Sequence, residues 1–186
     1  AILSDNRFIL GVGIGWMKEE FDIYGVDFHQ RGKITDEIIE VLQSLWSGQM
    51  VEYHGAHFDF PRVQLSPAPS THPPIYVGGS SEIALRRAAR VGGGYIGAGT
   101  APDDVGPLLQ RLNELRQEYG RDHLPFEAMI GISASPSLTL YQRLADKGLE
   151  STVAPPFQYA LGKKHSTVDE KKQSMETYAE SIMRHF

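Results

Sequence analysis

Strand-forming Ile75-Tyr76-Val77 runs into Gly78-Gly79-Ser80-Ser81 and then into the helix-forming stretch Glu82-Ile83-Ala84-Leu85. That order suits an anion. The first turn of a helix carries free N–H groups and about half a positive charge, and glycines let the backbone come close to a ligand. Serine hydroxyls can add hydrogen bonds; the competing reading makes Ser80 or Ser81 only the cap of the helix. There is no P-loop lysine, so the turn is not an ATP or GTP loop and suits instead the phosphate on a cofactor tail.

A second candidate lies upstream, where Phe8-Ile9-Leu10-Gly11-Val12-Gly13-Ile14 has the spacing of a strand and leads to Gly15-Trp16. Side chains alternate along a strand, so Gly11, Gly13 and Gly15 share one face and Leu10, Val12 and Ile14 the other. Interior glycines weaken a strand and mark close approach by a ligand or tight packing against another backbone. The run is not a dinucleotide fingerprint: G-x-G-x-x-G needs its third glycine one residue later than Gly15. Moreover, Lys18-Glu19-Glu20 follows where helix amides should meet a pyrophosphate. Trp16 is expected at the carboxyl end of the strand, where sites occur in parallel β/α folds. It either packs in the core or borders a planar ligand.

Other residues carry less. His54-x-x-His57 has metal-like spacing but sits in a hairpin among aromatic residues, with no carboxylate pair at ligand spacing, so no metal site is expected. Arg86, Arg87 and Arg90 read as a solvated or salt-bridged helix face. Arg31 and Asp36-Glu37 read as a pair across a helix start, and His29 is a residue whose reach toward the strand end the sequence does not fix. No acid–base dyad or nucleophile stands out, and no Lys or Glu falls at a strand's carboxyl end as a sugar-phosphate isomerase or aldolase would require. Glu127 lies near a strand's start.

The bulk properties narrow the class. The chain has 186 residues, of which 41% are hydrophobic and 22% charged, ordinary values for a globular protein. Its 18 Lys and Arg against 23 Asp and Glu give a net charge of −5, with no basic run longer than Lys163-Lys164-His165. A general nucleic-acid binder, whose affinity rests on clustered cations meeting phosphates, is excluded. The chain has no cysteine, hence no disulfide, Cys-ligated zinc or thiol nucleophile, which fits a reducing, cytoplasmic setting. No apolar run approaches the ~20 residues of a membrane span, and Ala1-Ile2-Leu3-Ser4-Asp5-Asn6-Arg7 does not read as a signal peptide. A non-Met start that enters a strand within a few residues points to missing upstream structure.

Short apolar runs alternate with amphipathic stretches, the pattern of a parallel sheet. Strands are expected at 8–14, 75–77, 95–96, 126–132 and 149–153. Helices are expected at 34–46, from about 81 to 91, from about 104 to 119, at 138–145 and at 168–183. A hairpin around Gly55 is expected within 51–60. The stretch from Pro61 to Pro74, with five of the eleven prolines, reads as an extended connection. Residues 49–74 are therefore an excursion within a single domain, 1–186. Five parallel strands do not close a (β/α)8 barrel of ~250 residues. The expected fold is α/β, of (β/α)8 TIM-barrel type, with about five of eight units present and the N-terminal ones absent.

At these residues the chain resembles the luciferase-like monooxygenase superfamily, particularly its deazaflavin (coenzyme F-420)-dependent oxidoreductases. The resemblance is carried by Asn6-Arg7-Phe8-Ile9-Leu10-Gly11-Val12-Gly13-Ile14-Gly15-Trp16, Glu20-Phe21, Gly25-Val26-Asp27-Phe28, Arg31-Gly32, Asp36-Glu37 and Leu45-Trp46. It continues through Pro73-Pro74-Ile75-Tyr76-Val77-Gly78-Gly79-Ser80, Ala84-Leu85-Arg86-Arg87-Ala88-Ala89-Arg90 and Gly93-Gly94-Tyr95-Ile96. It implies a barrel that binds FMN or F-420 at the carboxyl ends of its strands and acts by hydride transfer or oxygen activation on a small organic substrate. It places the isoalloxazine-facing strand end at Gly13, Ile14, Gly15 and Trp16, and the phosphate site at Gly78, Gly79 and Ser80, with Ser81 beside it. It further implies a homodimer, with upstream units that carry further ring contacts and much of the dimer interface. The rival expectation is a truncated barrel that binds cofactor or a partner chain without turnover.

Overall fold

The computed structural model describes residues 1–154, 157, 161–162 and 165–186; Lys163 and Lys164 of the basic run lie outside them. The chain divides into two compact units, Ala1–Gly78 and Gly79–Phe186.

The first unit contains β1 (Leu10–Val12), α1 (Lys18–Tyr24), α2 (Arg31–Trp46), β2 (Met50–His54), β3 (Asp59–Gln64) and β4 (Ile75–Gly78). β1 and β4 pair in parallel, with Leu10 opposite Ile75, Gly11 opposite Tyr76 and Val12 opposite Val77. Ile75, Tyr76 and Val77 are all buried, the continuous apolar run of a strand covered on both faces. β1 is shorter than the apolar run suggested. Pro73-Pro74 delivers the chain to β4, and Leu10 N–H donates to the Pro74 carbonyl at 2.9 Å. In α2 the apolar positions expected at helical spacing are Ile34, Ile38, Val41, Leu42 and Leu45; of these Val41 is buried and the other four are half-buried, while Thr35, Glu37 and Ile39 are the remaining covered positions.

Glu37 explains part of this departure. Its carboxylate accepts the backbone N–H groups of His57 at 2.9 Å and Phe58 at 2.7 Å, clasping the tip of the β2–β3 hairpin. A Cβ on Gly55 would collide with that carboxylate. Burial raises the Glu37 pKa, but the amide donors of His57 and Phe58 and the charge of His57 outweigh it and hold the carboxyl below its ordinary value. The hairpin lies where expected, although β3 extends through Pro61 to Gln64, so the irregular connection starts later. Helix α1 has no counterpart in the sequence reading. It is a two-turn element closed by Gly25 at φ 67°, and it leaves Ile23 and Tyr24 exposed.

The second unit contains α3 (Glu82–Val91), β5 (Gly94–Thr100), α4 (Val105–Glu118), β6 (Glu127–Ile132), α5 (Leu138–Asp146) and α6 (Val168–Ser181). β5 and β6 pair in parallel from Gly94 opposite Glu127 to Gly97 opposite Ile130, with a register shift before Thr100 meets Ile132. Tyr95, Val105, Leu115, Ile130 and Leu144 form the centre of this unit's core. β5 runs seven residues where two were expected. At Gly97 within this strand a Cβ would stand 2.9 Å from the Tyr95 ring, so this strand position requires a missing side chain. The expected strand at 149–153 is reduced to a single bridge between Met129 and Ser151, supported by Ile130 N–H donating to the Ser151 carbonyl at 3.1 Å.

Arg87 corrects the reading of a solvated arginine face. It is buried, whereas Arg86 stays at the surface and pairs with Glu82 at 2.9 Å and Glu118 at 3.0 Å. Helix α6 opens on a reciprocal capping box between Thr167 and Glu170, and a 3-10 turn at Met183–His185 follows it. Among the described residues no helix is long and apolar enough to cross a membrane.

Candidate functional site

In the first unit the chain continues past β1 into the glycine-rich strand end. The last registered pair is Val12 opposite Val77, and Gly13 and Gly78 each follow it directly in the chain. A Cβ built on Gly13 would meet nothing within 4 Å, so this face of the backbone is open. Ile14 is half-buried. Gly15 has φ 78°, a left-handed conformation that favours glycine, and a Cβ there would stand 2.8 Å from the Phe21 ring. Trp16 follows, 80% exposed. The core reading of this tryptophan is therefore overturned.

Arg31, the first residue of α2, holds this turn from the side. Its Nε donates to the Gly15 carbonyl at 3.3 Å and its Nη1 to the Phe28 carbonyl at 2.7 Å. The guanidinium carbon lies 3.7 Å from the centre of the Phe28 ring, and that ring meets Phe21 edge-on at 5.3 Å between centres. Of the acidic pair Asp36-Glu37 that the sequence sets near Arg31, Glu37 is engaged by the hairpin amides, while Arg31 donates to the two carbonyls. His29 is exposed in the 3-10 turn Phe28–Gln30, its backbone N–H donating to the Asp27 carboxylate at 2.9 Å. His54 pairs with Asp59 at 2.6 Å.

In the second unit Gly79 and Ser80 lead into α3. Gly79 has φ 123°, and a Cβ on it would lie 2.8 Å from the Ala84 Cβ. Ser81 is the cap: its Oγ accepts the Ala84 N–H at 3.3 Å. The first amides of a helix have no partner within it, and this cap satisfies the third one, not those of Glu82 and Ile83. Ser80 is exposed. Glu82 would oppose an anion here, but Arg111 Nη2 lies 2.6 Å from it and Arg86 Nε 2.9 Å away. The Arg111 hydrogen bond, above all, holds the Glu82 carboxyl below its ordinary value despite some desolvation. The helix start keeps its positive end with the nearby acid neutralised.

Phe21, Phe28, Arg31 and Arg111 were not read as parts of a site from sequence. Glu20-Phe21, Phe28 and Arg31 belong to the motifs of the resemblance, but nothing in their spacing says that they meet around Gly15. An open backbone face followed three residues on by an exposed indole fits a planar group, and a serine-capped helix start with its acid neutralised fits a phosphate. Among the described residues no cluster of three or more His, Cys, Asp or Glu side chains could hold a metal ion.

The parallel β/α pairs give an α/β fold consistent with part of a (β/α)8 barrel. The chain belongs to the luciferase-like monooxygenase family, whose model matches residues 1–181. It is 36% identical over 184 residues to an uncharacterized protein of Mycobacterium tuberculosis, covering 98% of this chain and 63% of that protein. It is 27% identical over 135 residues to the FMNH(2)-dependent dimethylsulfone monooxygenase of Pseudomonas fluorescens, covering 71% of this chain and 36% of that one. With the F420-dependent glucose-6-phosphate dehydrogenase of Microbacterium testaceum the identity is 28% over 156 residues, covering 81% and 45%. The chain thus spans less than two thirds of the length of these relatives. Two solved structures share the fold. Monooxygenase RslO1 from Streptomyces bottropensis matches with a TM-score of 0.72 at 18% identity, over 99% of this chain and 70% of that one. The coenzyme F420 dependent tetrahydromethanopterin reductase from Methanopyrus kandleri matches with a TM-score of 0.68 at 14% identity, over 97% and 74%.

Proposed function

We propose that the protein to which this chain belongs is an oxidoreductase or monooxygenase. On this reading it uses FMN or coenzyme F-420 to act on a small organic substrate, by hydride transfer or oxygen activation. The observation that carries the reading is the open face at Gly13 with the exposed Trp16 three residues further along the chain. The relatives from Pseudomonas fluorescens and Microbacterium testaceum support it, one named for FMNH(2) and the other for F420.

Each place has a role argued on its own ground. Gly13, Ile14, Gly15 and Trp16 form a ring-facing strand end: Gly13 leaves room, Gly15 turns the chain, and the indole offers a flat apolar border. Gly78, Gly79, Ser80 and Ser81 form a phosphate-binding turn through close backbone approach, serine hydroxyls and the amides that open α3. Bound, the cofactor supplies the redox chemistry, and the chain's residues bind it, orient it and limit the access of water. That division of labour accounts for a site without an evident nucleophile or acid–base pair. The reading takes 1–186 as part of one barrel domain, with 49–74 as an excursion, in a cytoplasmic homodimer.

A second reading, binding of cofactor or a partner chain without turnover, is favoured by the exposure of Ile23 and Tyr24 and the half-buried stripe of α2. Titration with FMN and F-420, followed by absorbance and by oxidation of the reduced forms with candidate substrates, separates the two. Saturable binding with turnover supports the first reading, and saturable binding without turnover the second. A protein that binds neither cofactor sinks the first.

A further inference from the structure

The turn that presents Trp16 is held by a closed circuit of contacts, and Arg31 closes it. Gly15 lies against the Phe21 ring, Phe21 meets Phe28 edge-on, Phe28 carries the Arg31 guanidinium on its face, and Arg31 returns to the Gly15 carbonyl. A second donor nitrogen of the same guanidinium fixes the Phe28 carbonyl. Only a planar, multi-donor cation performs all three tasks. Lysine has a single rotatable ammonium and no flat face to lay on a ring. Gly15 supplies the conformational freedom the turn needs and, for the same reason, gives the turn no stiffness of its own.

We propose that Arg31 is a positioning residue, which holds the Gly15–Trp16 turn so that the Trp16 indole stands ready beside the open face at Gly13. This deepens the function proposed above and rests on it for the identity of the ligand. Arg31 acts through the Gly15 carbonyl and does not itself bind the cofactor phosphate. Its bond to Gly15 is solvent-exposed and therefore adds little to global stability. Its effect lies in the order of the turn, which an incoming ligand would otherwise have to establish.

The chain has two tryptophans, so Trp46→Phe leaves Trp16 as the sole indole reporter. In that background Arg31→Met and Arg31→Lys are compared by time-resolved anisotropy of Trp16, by titration with FMN and F-420, and by thermal unfolding. Both substitutions are expected to speed the nanosecond motion of Trp16 and to raise the cofactor Kd about tenfold through lost preorganisation, with little change in Tm. Phe28→Leu, which removes the ring beneath the guanidinium, is expected to loosen Trp16 in the same way and serves if an Arg31 variant does not fold. Unchanged Trp16 motion in the folded variants overturns the proposal. So does full recovery of affinity by Arg31→Lys, since charge alone would then suffice. If the parent binds neither cofactor, the function proposed above fails, and the anisotropy comparison still decides the role of Arg31.

Discussion

Gly79 and Ala84 approach so closely that a Cβ on the glycine would stand 2.8 Å from the Cβ of the alanine. The turn into α3 is therefore folded tightly over the first residues of its own helix. Gly79→Ala adds both this collision and a left-handed φ of 123° for a residue with a side chain. It is expected to destabilise the fold by about 1–2 kcal/mol, read by urea denaturation, and to weaken FMN or F-420 binding. Adding Ala84→Gly should relieve the collision and leave the backbone strain, restoring only part of the stability.

Gly13 gives the opposite contrast. A Cβ there meets nothing within 4 Å beyond its chain neighbours, so Gly13→Leu is expected to change stability by no more than about 0.5 kcal/mol. Its cost should fall on the ligand, with affinity for FMN or F-420 lowered by at least roughly tenfold, since ordered contacts and close approach set affinity more than area does. Binding at wild-type strength would remove Gly13 from the site.

Arg111 should matter to an anion it need not touch. Arg111→Met removes the shorter of the two ion pairs on Glu82, at 2.6 Å, and leaves this carboxylate near the α3 helix start to Arg86 at 2.9 Å. Cofactor affinity is expected to fall a few-fold at low salt, and the difference to vanish near ~1 M salt, where the screening length is about 3 Å. Glu82→Gln in the same chain should reverse the loss. Isothermal titration of the single and double variants at two salt concentrations checks this.

Glu37 predicts a pH response of the hairpin. Its folded-state pKa is below the ordinary 4.5, so folding favours the charged form. The resulting stability is present above the unfolded-state value and is lost as pH falls through the lowered folded-state value. Amide exchange at His57 and Phe58, whose N–H groups donate to this carboxylate, should accelerate over that acidic window relative to the rest of the unit. Glu37→Gln should abolish that pH dependence, which two-dimensional NMR would detect.

Much of the fold is legible in the sequence because its carriers are local. The apolar runs and amphipathic stretches place α3, β6 and α5 within a residue or so of their observed limits. β5 reads short because its apolar run, Tyr95-Ile96, ends at Gly97, and what holds that glycine in a strand is its partner Ile130, far along the chain. Arg87 reads as solvated beside Arg86, but one residue along a helix is a turn of about a hundred degrees, which carries it inward with Ala84 and Ala88. The glycines and serines of the candidate site are legible because their chemistry resides in the residue type itself. The long cations are not. Arg31 finds a carbonyl 16 residues away and Arg111 a carboxylate 29 residues away, and flexible side chains choose such partners only once the backbone has folded.

The bare backbone at Gly13 has a practical consequence in a chain that contains no cysteine. Gly13→Cys would install the sole thiol of these 186 residues at a point where, beyond its chain neighbours, nothing lies within 4 Å of its Cβ. Its rate of alkylation then becomes a clock for whatever covers that point. A flavin, a substrate or a neighbouring chain would each slow the reaction in proportion to its occupancy, and a bystander bound elsewhere would leave it unchanged.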